Sequence, residues 1–489
     1  MEKRASWINE VSSWFIFDSI RRIYDMVFDI EGEVNLNNFF KPKTIVVIGV
    51  SRNPNKVGHV IFKNILDGNF NGEVIPVNPK ISQILHFKVY PSVSRIKKHI
   101  DLAIIAVPAK LVLNIVKQCN KKNIKDLLII SSGFGEVGNT ILEQQLKELL
   151  NKNKIRAIGV NCLGILDSHN SLDTLFIPRY RLKRPSPGSI SFVCQSGAVG
   201  AAILDIATEQ GHKFSKFISY GNATNIDESD LLEYLSKDEN TKVICLYVEG
   251  IKNGEKFYKT IKKVSKIKPI IALKGGLTKE GSEATISHTG ALAGKKEVYF
   301  GIFKQAGVIR ASTLEEMFNL ASLVEKEIKF CGNRIQIITN GGGYGIISTD
   351  NISTSKNIKL ASLSSTTVKK LKKLLPSVNI RNPLDLMGDA TTDRYRIALE
   401  SCIKDKNIDA ILLIALYQTP LITTDIVEVI SEFHRETLKP IIVISTGAEF
   451  TENLSESLEE NNIPTFEFPE NAISSIDKLM WYENKKRII

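Results

Sequence analysis

The segment GSEATISHTGALAG, residues 281–294, sets one imidazole, His288, among glycines, alanines, serines and threonines. A histidine used for packing sits among bulky apolar neighbours, and a metal-binding one is usually accompanied by further ligands. Here its immediate neighbours, Ser287 and Thr289, are small, and the segment holds no second histidine or cysteine. The chemistry left open is that of an exposed nucleophile or proton carrier. Attack on phosphorus would give a phosphohistidine, a dianion that lasts only where donors stabilise it and water is kept away. Gly281, Ala284, Gly290 and Ala291 would let such a loop move between distant sites.

A nucleophilic imidazole needs an orienting acid. Glu249, which closes the apolar run VICLYVEG, can hydrogen-bond one ring nitrogen and leave the other free. The plainer role for such a glutamate is a cap or an ion pair. A phosphate also needs donors, and two segments supply them. CQSGAVGAAILDIATEQG (194–211) and TNGGGYGIISTD (339–350) each read as strand, tight glycine turn and helix. Ser196 and Gly197 in the first, and Gly341 and Gly342 in the second, then lie where unpaired amides and the positive end of a helix dipole face outward. Close packing is the alternative use of those glycines.

These residues need a frame. From about residue 43, short β-branched runs alternate with helical patterns, which predicts an α/β protein of parallel sheets flanked by helices. TIVVIGV, EVIPVNP, LAIIAVP, DLLIISS and RAIGVN form one series. SISFVCQSG, VICLYVEG and PIIALKGG form a second, and RIQIITNGGG, DAILLIALY and PIIVISTG a third. RPSPG at 184–188 and KFCGN at 329–333 punctuate them, giving domains 36–184, 185–330 and 331–489 after an extension of residues 1–35. In that extension Ile16, Ile20, Ile23, Val27 and Ile30 recur at helical spacing, which suggests an amphipathic helix docked on protein.

Ligands of open parallel sheets lie at the carboxyl ends of strands. In the first series this edge carries GVSRNPNKVG (49–58), where Gly49, Ser51 and Asn53 open onto a helix start suited to phosphate. VNPK follows, with Lys80 where a reader of unphosphorylated NAD would carry an acid. Lys80 suits a phosphorylated ribose, a feature of both NADP and coenzyme A. Val107 and Pro108, then Ser131, Ser132 and Gly133, then Asn161 in GVNCLG, end the later strands.

The 64 Lys and Arg against 53 Asp and Glu give a net charge of +11, without a long basic tract. Small polyanions fit this better than nucleic acid. Six cysteines with no CxxC pair fit a reducing cytoplasm. No apolar stretch approaches the ~20 residues of a membrane span. No metal site is expected.

Taken in order, GVSRNPNKVG, VIPVNPK, SSGFGEVG, NCLGI, FVCQSGAVG, SYGNATNIDESDLLEYL, TKVICLYVEG, SHTGALAG, TNGGGYG and NPLDLMGDAT resemble the alpha subunit of ADP-forming acyl-CoA synthetases, in the succinyl-CoA synthetase superfamily. The resemblance runs from about Phe40 to the end. It implies a Rossmann-like coenzyme A domain followed by two flavodoxin-like domains, with coenzyme A on Ser51, Arg52, Asn53, Lys80, Ser131, Ser132 and Gly133. It also implies a phosphohistidine at His288 supported by Glu249, with phosphate held at the helix starts of Gly197 and Gly342. The substrates it implies are phosphate and a short-chain acyl-CoA. One departure is Val160, where members commonly have proline before the Asn-Cys pair.

No segment reads as an ATP-grasp fold and there is no GxxxxGK[ST] loop. ADP or ATP with Mg²⁺ is therefore expected on a separate ATP-grasp beta subunit, in an α2β2-like assembly. A coenzyme A sensor or scaffold built from the same domains would not need His288, Glu249 and both glycine junctions. An NADP oxidoreductase would leave the His288 segment without a use.

Overall fold

The computed structural model describes residues 35–283 and 295–486. The amphipathic stripe of the extension and His288 lie outside the described residues. The chain divides into Met1–Asn37 and Asn38–Ile489, and the second unit holds every sheet.

Five short strands form the first sheet: β1 (Thr44–Ile48), β2 (Glu73–Val77), β3 (Leu102–Ile105), β4 (Asp126–Ile129) and β5 (Arg156–Gly159). All pair in parallel, in the order β2-β1-β3-β4-β5. TIVVI and LAII are apolar without alternation because helices cover both faces of such a sheet. Helix α1 (Val57–Asp67) follows β1 and α2 (Ala109–Lys121) follows β3. The order reverses between β1 and β3, which opens a crevice at their carboxyl ends.

The second sheet contains β6 (Ile165–Asp167), β7 (Leu172–Asp173), β8 (Pro187–Cys194), β9 (Phe214–Ser219), β10 (Val243–Val248), β11 (Ile270–Lys274) and β12 (Ile309–Arg310). Its order is β12-β11-β10-β8-β9-β6-β7, parallel except for β6 and β7. The chain thus leaves the first sheet at 160–164, ahead of the proline-rich RPSPG that marks the break in the sequence. Strands β6 and β7 cap the β9 edge of the second sheet by antiparallel pairing. Helix α3 (Gly197–Glu209) follows β8, and α4 (Lys296–Ala306) and α5 (Leu314–Glu325) flank β12.

In the third sheet β13 (Arg334–Thr339), β14 (Lys359–Leu360), β15 (Leu384–Asp385), β16 (Ala410–Ile414), β17 (Ile441–Ile444) and β18 (Thr465–Phe466) take the order β14-β13-β16-β17-β18, with β15 also paired to β13. Helix α6 (Gly342–Thr354) follows β13, and the chain closes on α7 (Pro469–Lys486). Ile473, Ile476 and Leu479 of α7 join Met317 and Leu320 of α5 and Ile352 of α6 in one buried cluster, so the second and third sheets share a core. Among the described residues no helix is long and apolar enough to cross a membrane.

Candidate active site

A cavity of about 1260 Å³ opens where the carboxyl edges of the first two sheets meet. That is above the roughly 300–1,000 Å³ of an ordinary small-molecule pocket and suits a long ligand. Gly49, Ser51, Lys80, Val107, Pro108, Ser131, Ser132 and Asn161 all line it, as do Ser196 and Gly197 from the other sheet. Two helix starts, those of α1 and α3, therefore face one space, and their first amides have no partner within the helix.

Local contacts hold this lining in place. Ser131 Oγ accepts the Val107 N–H at 3.2 Å and so ties two strand ends together. Ser51 Oγ accepts the Asn53 N–H at 3.1 Å, and Asn78 Nδ2 donates to the Val50 carbonyl at 2.6 Å. Ser196 caps α3, its hydroxyl accepting the Val199 N–H at 3.3 Å. Val160 is fully buried behind the lining, and Asn161 Nδ2 donates to Asn222 Oδ1 at 3.2 Å.

Other residues of the sequence reading lie apart from the cavity lining. Arg52 turns aside, its Nε donating to the Gln83 carbonyl at 3.0 Å, and it lines a smaller cleft with His59. The Asn53 carbonyl and side chain are spent on the turn, accepting the amides of Lys56 and Asn55. Gly133 gives its N–H to Glu136 Oε1 at 2.5 Å. Burial alone would raise the Glu136 carboxyl, yet bonds from the amides of Gly133 and Phe134 and from Asn222 hold it below the usual range. Gly341 and Gly342 start α6 at the third sheet's edge, where Thr339 Oγ1 accepts the Gly341 N–H at 2.9 Å.

Glu249 stands at the end of β10, buried, beside the start of α3. Gln195 makes the link: its Oε1 accepts the N–H of Glu249 at 2.7 Å and that of Gly250 at 3.1 Å. Tyr247 Oη donates to Glu249 Oε1 at 3.3 Å. Glu249 and the start of α3 are thus braced by one buried amide.

Comparison with known proteins agrees with this geometry. Residues 43–168 match the CoA binding domain and residues 187–324 the succinyl-CoA ligase like flavodoxin domain. The acetate-CoA ligase (ADP-forming) II subunit alpha of Pyrococcus furiosus is 38% identical over 447 residues, 90% of this chain and 96% of that one. The chain belongs to the ADP-forming acyl-CoA synthetase family. The acetate-CoA ligase (ADP-forming) of Methanocaldococcus jannaschii is 42% identical over 91% of this chain, which spans 63% of that relative's length. Among solved structures, the dinucleotide forming acetyl-coenzyme A synthetase 1 of Candidatus Korarchaeum cryptofilum, in complex with phosphate and ADP, gives a TM-score of 0.85 at 33% identity, covering 93% of this chain and 98% of that one.

The fold adds residues that the sequence reading passes over. Gln195 sits between two motif residues and reads as spacer until β8 and β10 are neighbours. Leu163, Phe176, Ile177 and Ala201 give the cavity an apolar wall near the start of α3, bulkier than QSGAVGAA alone implies. Lys274, at the end of β11, points its ammonium into the Glu249 turn.

Proposed function

We propose that this chain is the alpha component of an ADP-forming acyl-CoA synthetase, interconverting acyl-CoA, ADP and phosphate with the free acid, coenzyme A and ATP. The observation that carries the reading is the single cavity shared by the first sheet's strand ends and the Ser196–Gly197 helix start, with Glu249 braced alongside through Gln195. Gly49, Ser51 and Lys80 with the α1 amides receive the phosphorylated nucleotide end of coenzyme A, and Val107, Pro108, Ser131, Ser132 and Asn161 border its path toward α3. At Ser196–Gly197 a phosphate oxygen attacks the thioester carbonyl, the thiolate leaves, and an acyl phosphate forms. A ring nitrogen of His288 then attacks phosphorus, the carboxylate departs, and Glu249 accepts a hydrogen bond from the other ring nitrogen. The amides at Gly342 serve as a second phosphate station. ADP with Mg²⁺ takes the phosphoryl group on an ATP-grasp beta subunit, in the cytoplasm.

The test is to incubate the chain, with and without its beta subunit, with radiolabelled phosphate and acetyl-CoA. An acid-labile, base-stable label on wild type that is absent from His288→Ala is expected. Coenzyme A binding with no label under any condition would instead favour the sensor reading.

A further inference from the structure

Lys274 is 3% exposed at the last position of β11. Its Nζ donates to the Glu249 carbonyl at 2.7 Å and to the Gly275 carbonyl, and it stands 4.7 Å from the centre of the Tyr299 ring. Tyr299 belongs to α4. One ammonium thus joins the end of β10, the end of β11 and α4. Tyr247 Oη and Glu249 Cγ pack over Gly275 from the other side, where an added Cβ would come within 2.7 and 3.6 Å of them.

A buried ammonium is costly, and a Met or Leu would fill the same space without desolvating a charge. The acceptors here are neutral carbonyls and an aromatic face, which leave the positive charge uncancelled. Burial pushes Lys274 down to about 8, and the charged group that opposes this fall is Glu249. Among the described residues, Tyr247 Oη from β10 meets the Glu249 carboxylate, the neutral Gln195 meets the amides of Glu249 and Gly250, and Tyr299 from α4 meets the ammonium.

We propose that Lys274 is a positioning residue for phosphoryl transfer, fixing the Glu249 turn and with it the place of the Glu249 carboxylate. The role rests on the phosphohistidine reading above. A carboxylate held in one place accepts a hydrogen bond from one imidazole nitrogen and so selects the ring's orientation, which a displaced turn would not do.

The experiment is rapid-quench phosphohistidine formation on the assembled alpha and beta chains, with radiolabelled phosphate and acetyl-CoA. It compares wild type, Lys274→Met, Glu249→Gln and the double variant, with coenzyme A affinity measured in parallel. Lys274→Met is expected to slow labelling about tenfold or more in wild type but less than about twofold in the Glu249→Gln background, with coenzyme A affinity unchanged. Equal losses in both backgrounds, or no loss in wild type, overturn the proposal. Should Lys274→Met lose coenzyme A binding, Lys274→Arg decides: labelling restored to within about twofold of wild type supports the role, and a loss as large as that of Lys274→Met overturns it. Wild type that never labels sinks the phosphohistidine reading itself, and this role with it.

Discussion

At the scale of single residues, the coenzyme A end of the cavity depends on two backbones in contact. A Cβ added to Gly58 would lie 2.1 Å from the Gly49 carbonyl oxygen and 2.7 Å from its carbon, so α1 meets the β1 turn with no room for a methyl. Both partners are main chain and cannot swing away. Gly58→Ala is expected to push α1 off the turn, cost about 1–3 kcal/mol of stability, and weaken coenzyme A binding more than labelling chemistry at saturating ligand. Calorimetric titration beside a melting curve checks this, and unchanged affinity would remove the α1 start from the binding site. Gly49 and Gly58 are legible from sequence because a strand-turn-helix junction needs small residues. Gln195 and Lys274 are not, because each acquires its role only when β8, β10 and β11 lie side by side.

Among elements, the α3 start is where the cap and the anion site separate experimentally. Ser196→Ala removes the oxygen that accepts the Val199 N–H and is expected to cost about 1 kcal/mol. Ser196→Asp restores the cap but places a carboxylate where the proposed phosphate would sit. Melting temperature should therefore recover in the Asp variant while phosphohistidine labelling stays lost. Recovery of both would mean that no anion binds at this helix start. The apolar strand runs of the sequence become β1, β2, β3, β4, β5, β8, β10, β11, β13, β16 and β17, since each is long enough and apolar enough to stand out. Strand β9 does not, because FSKFIS interleaves polar residues with its apolar ones although every residue is buried. Its Lys216 lies 2.7 Å from Asp238 Oδ2 and 3.4 Å from Asp167 Oδ2, so the charge that disguises the strand is met by acids far away in sequence. Strands β6 and β7 escape for a related reason: two or three residues carry no periodic signal, and only the pairing of β6 to β9 and of β7 to β6 makes them strands.

For the whole molecule, the cavity is shared by the first two sheets, while among the described residues the third sheet, which shares a core with the second, adds nothing to the lining. A ligand that touches both sheets should slow opening on both sides of the cleft, because each must release it before its backbone amides exchange. Hydrogen exchange with and without saturating coenzyme A should therefore show new protection at 49–58, 107–111, 131–132 and 161–163 and, across the gap, at 195–201. The α6 start at 341–345 should be unchanged with coenzyme A alone and respond only when phosphate is present. Protection confined to the first sheet would place the thiol end short of α3, too far from Ser196 for phosphate held there to reach a thioester. Protection spreading evenly into the third sheet would mean that coenzyme A tightens the shared core of α5, α6 and α7. The α6 response would then report that tightening rather than a second phosphate station.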